Sequence, residues 1–328
     1  MVKIDRLNSG LIVLSAVLAY FLPFELFLIS YVIMGPLHYI TEINWLDKKG
    51  FFLRAKKDYW WMVILAFFAA AFYIVSQMPG WLETWIKASS VRVSFVTSIN
   101  EFVRPSVVIL AAVLASIGLV FIQSKSLRIL WVVFATLMGF VVPFLPPKGW
   151  ILVLFVPTLI HTYFFTLAFM SFGTIKSKSR PGLVSIMLLL IMPFLLIAAP
   201  DPAPRMAWFG VSFIQESGFD TMRLYLGQLS GGILGDPRTY QVILAFTYTY
   251  HYLNWFSKTG IIRWHDVSLS RLVAAVVIWS TSVILYFIDA ASGIMILFFL
   301  SLLHVFLELP LNVVSIRGVL FYILRKNR

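Results

Sequence analysis

The sequence predicts an all-α protein, a polytopic integral membrane helix bundle formed as one domain over residues 1–328. Three observations predict it. Hydrophobic residues make up 60% of the chain and charged residues only 12%, about half the charged share of a soluble globular chain. Long apolar runs follow one another from one end to the other. Lipid offers no water to satisfy a backbone, so runs of this kind must be helices. No repeat on the scale of about 20–50 residues divides the chain into modules.

Taken in order, ten transmembrane helices are expected, at about 8–21, 24–46, 60–78, 104–123, 128–145, 149–172, 183–199, 240–258, 271–289 and 293–315. Pro23 separates the first two, which form a tight hairpin. The first follows basic residues and is short enough to compare with a signal peptide, with Val17 and Ala19 before a cut. An uncleaved helix is the preferred reading. The stretch 79–103 contains "WLETWIKASSVRVSF", mixing Trp with charge, and is expected to lie at the membrane interface. Residues 200–239 form the longest loop, on the outside.

Basic residues test this topology. Of the 26 Lys and Arg, 19 fall in the N-terminus, 47–59, 124–128, 173–182, 258–271 and the C-terminal tail, all on one side of a ten-helix arrangement; 7 fall on the other. The bias places both termini in the cytoplasm. It also accounts for most of the net charge of +12, so a nucleic-acid partner is not implied. The run "DKKGFFLRAKK" is an orientation signal that suits anionic lipid. The expected location is a cell membrane of the bacterial inner-membrane type.

Several chemistries are excluded. There is no cysteine, hence no disulfide, Fe–S cluster, thiolate zinc site or Cys nucleophile. "GQLSGGILGD" is Gly-rich but lacks the Gly-Lys-Ser/Thr of a phosphate loop. Neither a HExxH helix nor a GxSxG elbow is present.

The five histidines carry the functional signal. His265, in "IIRWHD", belongs to a loop. His38, His161, His251 and His304 fall in the second, sixth, eighth and tenth helices, which all run from outside to inside. At about 1.5 Å per residue they lie roughly 16–21 Å below the outer helix ends. Each alone is equally well a histidine bonded to a neighbouring helix. Four in one layer near mid-membrane point to a metal, for which neutral imidazole is a common ligand.

Two carboxylates accompany them. Glu42 follows His38 by four residues in "HYITE", and Glu308 follows His304 by four in "HVFLE". This spacing puts each pair on one helix face, and a carboxylate within lipid normally has a partner or a function. Glu42 sits near "NWLDKKG", so an interfacial place is an alternative for it. The two acids are either ligands of a dinuclear site or acceptors that orient the imidazoles. The second role is preferred, because four histidines nearly fill one metal's shell. Around His251, "LAFTYTYHYLNWFSK" supplies Tyr248, Tyr252 and Trp255 as an aromatic wall for a flat apolar ligand, although membrane helices are rich in aromatic residues anyway. Pro36 is expected to loosen the helix ahead of His38.

"GPLHYITE", "YTYHYLNWFSK" and "LSLLHVFLELPLN" resemble the His-bearing segments of bacterial Brp/Blh-type β-carotene 15,15'-dioxygenases. In that family Pro directly precedes the first His, whereas Leu37 intervenes here. The resemblance implies non-haem Fe(II), O2 and a carotenoid substrate cleaved to retinal. The lead expectation is therefore an intramembrane, His-ligated iron oxygenase acting on a hydrophobic, lipid-dissolved molecule. A di-iron lipid desaturase or hydroxylase is the second enzyme reading. A bis-His haem protein and a proton-coupled transporter are the readings from other classes.

Overall fold

The computed structural model describes residues 2–76, 87–90, 105–146, 149, 152–153, 156–200 and 237–326. Most of the expected interfacial stretch 79–103 and of the expected external loop 200–239 lies outside these residues. The described chain is helical throughout, with no strand among the described residues.

The elements are α1 (Val2–Phe21), α2 (Pro23–Leu28), α3 (Gly35–Lys48), α4 (Tyr59–Ser76), α5 (Pro105–Phe121), α6 (Lys125–Gly139), α7 (Thr166–Ser177), α8 (Arg180–Ala198), α9 (Pro237–Ser257), the short α10 (Thr259–Ile262), α11 (Leu269–Ile288) and α12 (Ala290–Lys326). Three short 3-10 turns (Gly50–Phe52, Lys56–Asp58 and Val142–Phe144) and two π-helical stretches complete them. Ile29–Met34 joins α2 to α3 in one continuous helix, and Val156–Phe165 leads into α7. Every expected apolar run coincides with helix where it is described. Among the described residues, seven helices are long and apolar enough to cross a membrane, by length and composition: Lys3–Phe21, Pro23–Lys48, Lys125–Phe144, Val156–Ser177, Arg180–Ala198, Leu269–Ile288 and Ser292–Arg325.

Two expected boundaries move. The first helix starts at Val2 rather than near 8, because its polar head docks on protein. Asn8 is 2% exposed; its Oδ1 accepts hydrogen bonds from Tyr250 and Ser257, both at 3.3 Å. The Asp5 carboxylate accepts from Ser179. The last helix continues past 315 to Lys326, with the Arg317 guanidinium 4.8 Å over the Phe121 ring.

Polar contacts gather the basic segments at one end of the bundle. Asp47 pairs with Lys56 and Arg271 at 2.7 and 2.8 Å, and Asp58 with Arg128 at 2.6 Å. With the Asp5–Ser179 and Asn8–Ser257 contacts, these bring together the N-terminus and segments 47–59, 124–128, 173–182 and 258–271. At the opposite end, Arg238 donates to the Tyr20 carbonyl and Tyr20 to that of Pro200.

Helix α9 packs against α1, α2 and both π-helical stretches, and α12 against α3, α4, α5, α7 and α11. Residues 242–252 of α9 are buried on every side, which marks an interior helix. Its Thr, Tyr and Asn side chains meet protein, so it needs no lipid-facing apolar surface. The apolar faces turned outward belong elsewhere, for example to α8 (Leu183, Met187, Leu190, Phe194) and α11 (Val273, Val277, Ile284, Ile288), all exposed. Their helical spacing forms the girdle that a bilayer covers. Inside, two hydrophobic clusters form, one around α1, α2, α8 and α9, the other around α4, α5 and α12. The chemically interesting residues lie on the seam between them.

Candidate metal centre

His38, on α3, follows a π-helical stretch. Pro36 has no N–H for the carbonyl of Val32, four residues earlier, and Val32 lies in that stretch. The helix relaxes to a wider turn where the bond is missing. His161 sits within the second π-helical stretch, which contains Pro157. His251 comes from the interior helix α9 and His304 from α12. All four are buried, at 1, 1, 7 and 1% exposure.

The four rings close into a square. Ring centroids are 4.8 Å apart from His38 to His251, 4.7 Å from His251 to His161, 5.0 Å from His161 to His304 and 5.3 Å from His304 back to His38. Adjacent planes are steeply inclined, between 65° and 84°. The Nε2 atoms of His38 and His251 are 3.1 Å apart, and those of His304 and His161 3.2 Å. One nitrogen from each of the four lies within 4.8 Å of the others. A tetrahedral ion with Zn–N-like bonds of about 2.1 Å separates its ligand nitrogens by about 3.4 Å. The donor set therefore fits a transition-metal ion with imidazole preference. His265, by contrast, is exposed beside Trp264 and stays away from the group.

Both carboxylates join the site, in different ways. Glu42 Oε2 lies 3.1 Å from His38 Nε2, the nitrogen that also faces His251. Glu308 Oε2 lies 3.1 Å from His161 Nδ1, on the far side of that ring from the Nε2 that meets His304. In both contacts the distance is short but the alignment is not that of a hydrogen bond, and both oxygens are left without a hydrogen-bond partner. Glu42, His304 and Glu308 also lie close enough to share an ion. The carboxylates are buried, so a cation beside them offsets a large desolvation penalty.

Further side chains fix the rings. Thr166 Oγ1 is 2.7 Å from His251 Nδ1. If that nitrogen carries the proton, it donates to Thr166 and leaves Nε2 free to bind metal. Tyr39 stacks on His304 at 4.1 Å and 19°, and shares a 2.7 Å hydrogen bond with Tyr252. Tyr252 and Trp255 stand 5.1 and 5.4 Å from His38 by ring centroids, and the Trp255 indole donates to Thr41 at 3.1 Å. Tyr248 is one row further out, against Phe27, Tyr31 and Tyr252.

A cavity of about 30 Å³ touches His38, His251, Glu42, Glu308, Thr166 and Lys258. This is room for one or two water-sized molecules.

Three residues escaped the sequence reading. Tyr39 lies next to His38 in the chain and so off its helical face, but it reaches His304. Thr166 has no spacing that links it to His251. Lys258 had a usable signal, since it lies seven residues after His251, two turns along the same face. Compared with protein-family models, with curated proteins and with solved structures, the chain matches none.

Proposed function

We propose that this protein is an intramembrane non-haem iron oxygenase, with ten spans, both termini in the cytoplasm and a location in the bacterial inner membrane. The observation that supports it best is the convergence of four buried imidazoles, from four separate helices, on one point inside an apolar bundle. Such a site has little structural purpose, since four neutral imidazoles facing one another forgo the better partners that backbone or water would offer.

In this reading His38, His161, His251 and His304 hold the ion. Glu42 closes its shell from the His38 side. Glu308, 3.1 Å from His161 Nδ1, would accept its N–H once the ring turns onto the ion, and so would fix the ring and raise its basicity. Thr166 does the same for His251. Iron(II) bound there would supply activation of O2 towards an apolar molecule. Zinc would hold the same donors, but O2 chemistry on a lipid-dissolved substrate calls for a redox metal. The substrate class follows from the setting, a site buried in a bundle whose outer faces are lipid-covered, so a hydrophobic molecule has the shortest route to it. Among such molecules a carotenoid is the one implied by the resemblance of the His-bearing segments. Tyr39, Tyr252 and Trp255 form the wall nearest the histidines, with Tyr248 behind, and these rings must move to admit a polyene because the cavity is small.

The test is metal analysis and an absorption spectrum of purified protein, with retinal assayed in cells that make β-carotene. The expected result is iron at about one equivalent, no Soret band, and retinal formed only with intact histidines. Iron with oxidation of a different lipid would keep the oxygenase and remove the carotenoid. A protein that holds no metal would remove the whole reading and leave a transporter, in which the same His and Glu relay protons.

A further inference from the structure

We infer that the cavity beside the histidines is a binding site for one small monoanion, held between the metal ion and Lys258. The inference rests on the metal reading above and adds a ligand class and a residue to it.

Size limits the ligand first. About 30 Å³ accommodates a species of about two or three heavy atoms, the size of hydroxide, a hydroxide–water pair or azide. The lining is polar on one side, with Glu42, Glu308, Thr166 and Asn254, and carries a cation in Lys258. Asn254 Oδ1 is buried without a hydrogen-bond partner; as an acceptor it suits an anion that carries a proton, such as hydroxide, or a water beside the anion. Lys258 Nζ sits 4.8 Å over the Phe169 ring, and Phe169 also lines the cavity. The ammonium is thereby held at the cavity and not released to solvent.

Charge limits it next. Around this cavity a divalent ion and Lys258 bring three positive charges. Inside an apolar bundle an uncompensated charge is expensive, so cations on two sides of one small space favour an anion between them. Glu42 and Glu308 also face the cavity and on their own would repel an anion. The proposal therefore requires both the ion, which engages the carboxylates, and Lys258, which adds the remaining positive charge. Position agrees with this division. His251, Asn254 and Trp255 share one face of α9, and Lys258 directly follows its last residue, its N–H bonded back to the Trp255 carbonyl at 3.1 Å, so the end of the helix brings the metal ligand and the cation to the same small space.

The experiment uses the full chain in detergent, loaded with cobalt(II) as a visible reporter and titrated with sodium azide. Wild type should show saturable changes in the cobalt bands. Lys258→Met should hold the same amount of cobalt and bind azide about tenfold or more weakly, since a buried charge is lost from the site. Lys258→Arg should recover most of the affinity. Lys258→Gln serves as a second neutral variant if the Met protein does not fold. Cobalt-loaded wild type without an azide response would overturn the proposal, and so would a neutral variant that binds azide as well as wild type. Wild type that takes up no cobalt at the histidines would overturn the metal reading itself, a result distinct from the other two.

Discussion

His38 and His251 are 213 positions apart in sequence, and their Nε2 atoms stand 3.1 Å apart in the bundle. The same distance serves two arrangements. One imidazole donates N–H to the other, or both lone pairs are directed at a shared ion. The second pair, His304 and His161 at 3.2 Å, favours the second. Two hydrogen-bonded pairs would need no contact with each other, yet the ring square also closes from His251 to His161 and from His304 to His38. A common centre explains all four contacts.

Thr166 tests how the centre is kept in one tautomer. Its Oγ1 is the partner of His251 Nδ1 at 2.7 Å. Thr166→Val keeps the shape and removes the hydroxyl, so the expected loss in metal affinity is about 10-fold, within the range for such partners. Thr166→Ser should restore it. Affinity is measured by competition with a chromophoric chelator, and equal affinity in Thr166→Val would make the hydroxyl a packing group.

Glu42 and Glu308 are expected to respond differently. Glu308→Gln keeps an acceptor oxygen near His161 Nδ1 but loses the charge, so activity should fall about 10–100-fold while metal remains largely bound. Glu42 faces the cluster-side nitrogen of His38, so Glu42→Gln should lose more metal than Glu308→Gln. Metal-to-protein ratios of the two purified variants check this. The reverse order would exchange their roles, and loss of about half the metal in each would indicate a dinuclear centre.

Gly35 leaves room for the aromatic floor of the site. A Cβ there would come within 2.8 Å of Tyr39 Oη and 3.3 Å of Tyr252 Oη. Gly35→Ala should therefore displace the hydrogen-bonded tyrosine pair and the Tyr39 ring that stacks on His304. The expected cost is about 1–3 kcal/mol of overpacking, offset in part by the better helix propensity of Ala. Thermal unfolding in detergent reads it. Gly35→Ala together with Tyr39→Phe should be closer to wild type than Gly35→Ala alone.

The topology is open to direct measurement. Reporter fusions after Lys57, Lys178 and Arg325 should all report the cytoplasmic side, because basic residues favour it and the basic segments share one end of the bundle. A fusion after Arg325 that reports the opposite side would contradict both the ten-span count and the cytoplasmic termini.

Much of this arrangement was legible in the sequence, because lipid imposes a simple rule. Apolar runs had to be helices, and each coincides with one where the chain is described. The four histidines were legible as a group through their depth, which follows from helix rise alone. The interior character of α9 was less so. Its Thr and Tyr content lowers its hydropathy, and only the packed structure shows that protein, not lipid, surrounds it. The π-helical turns at Ile29–Met34 and Val156–Phe165 were hidden, although Pro36 marked the first as a weak point. Tyr39 and Thr166 were missed for one reason: each touches a histidine on another helix, and spacing within a helix is silent about its neighbours' faces.

X-ray absorption on the iron-loaded protein tests the central claim most directly. Four histidines at a common ion predict a shell of nitrogen and oxygen at about 2.1 Å, with multiple scattering from three to four imidazoles. The imidazole signal should drop in His304→Ala and be unchanged in His265→Ala. Iron with no imidazole shell, or iron bound equally well after His304→Ala, would contradict a metal centre at His38, His161, His251 and His304.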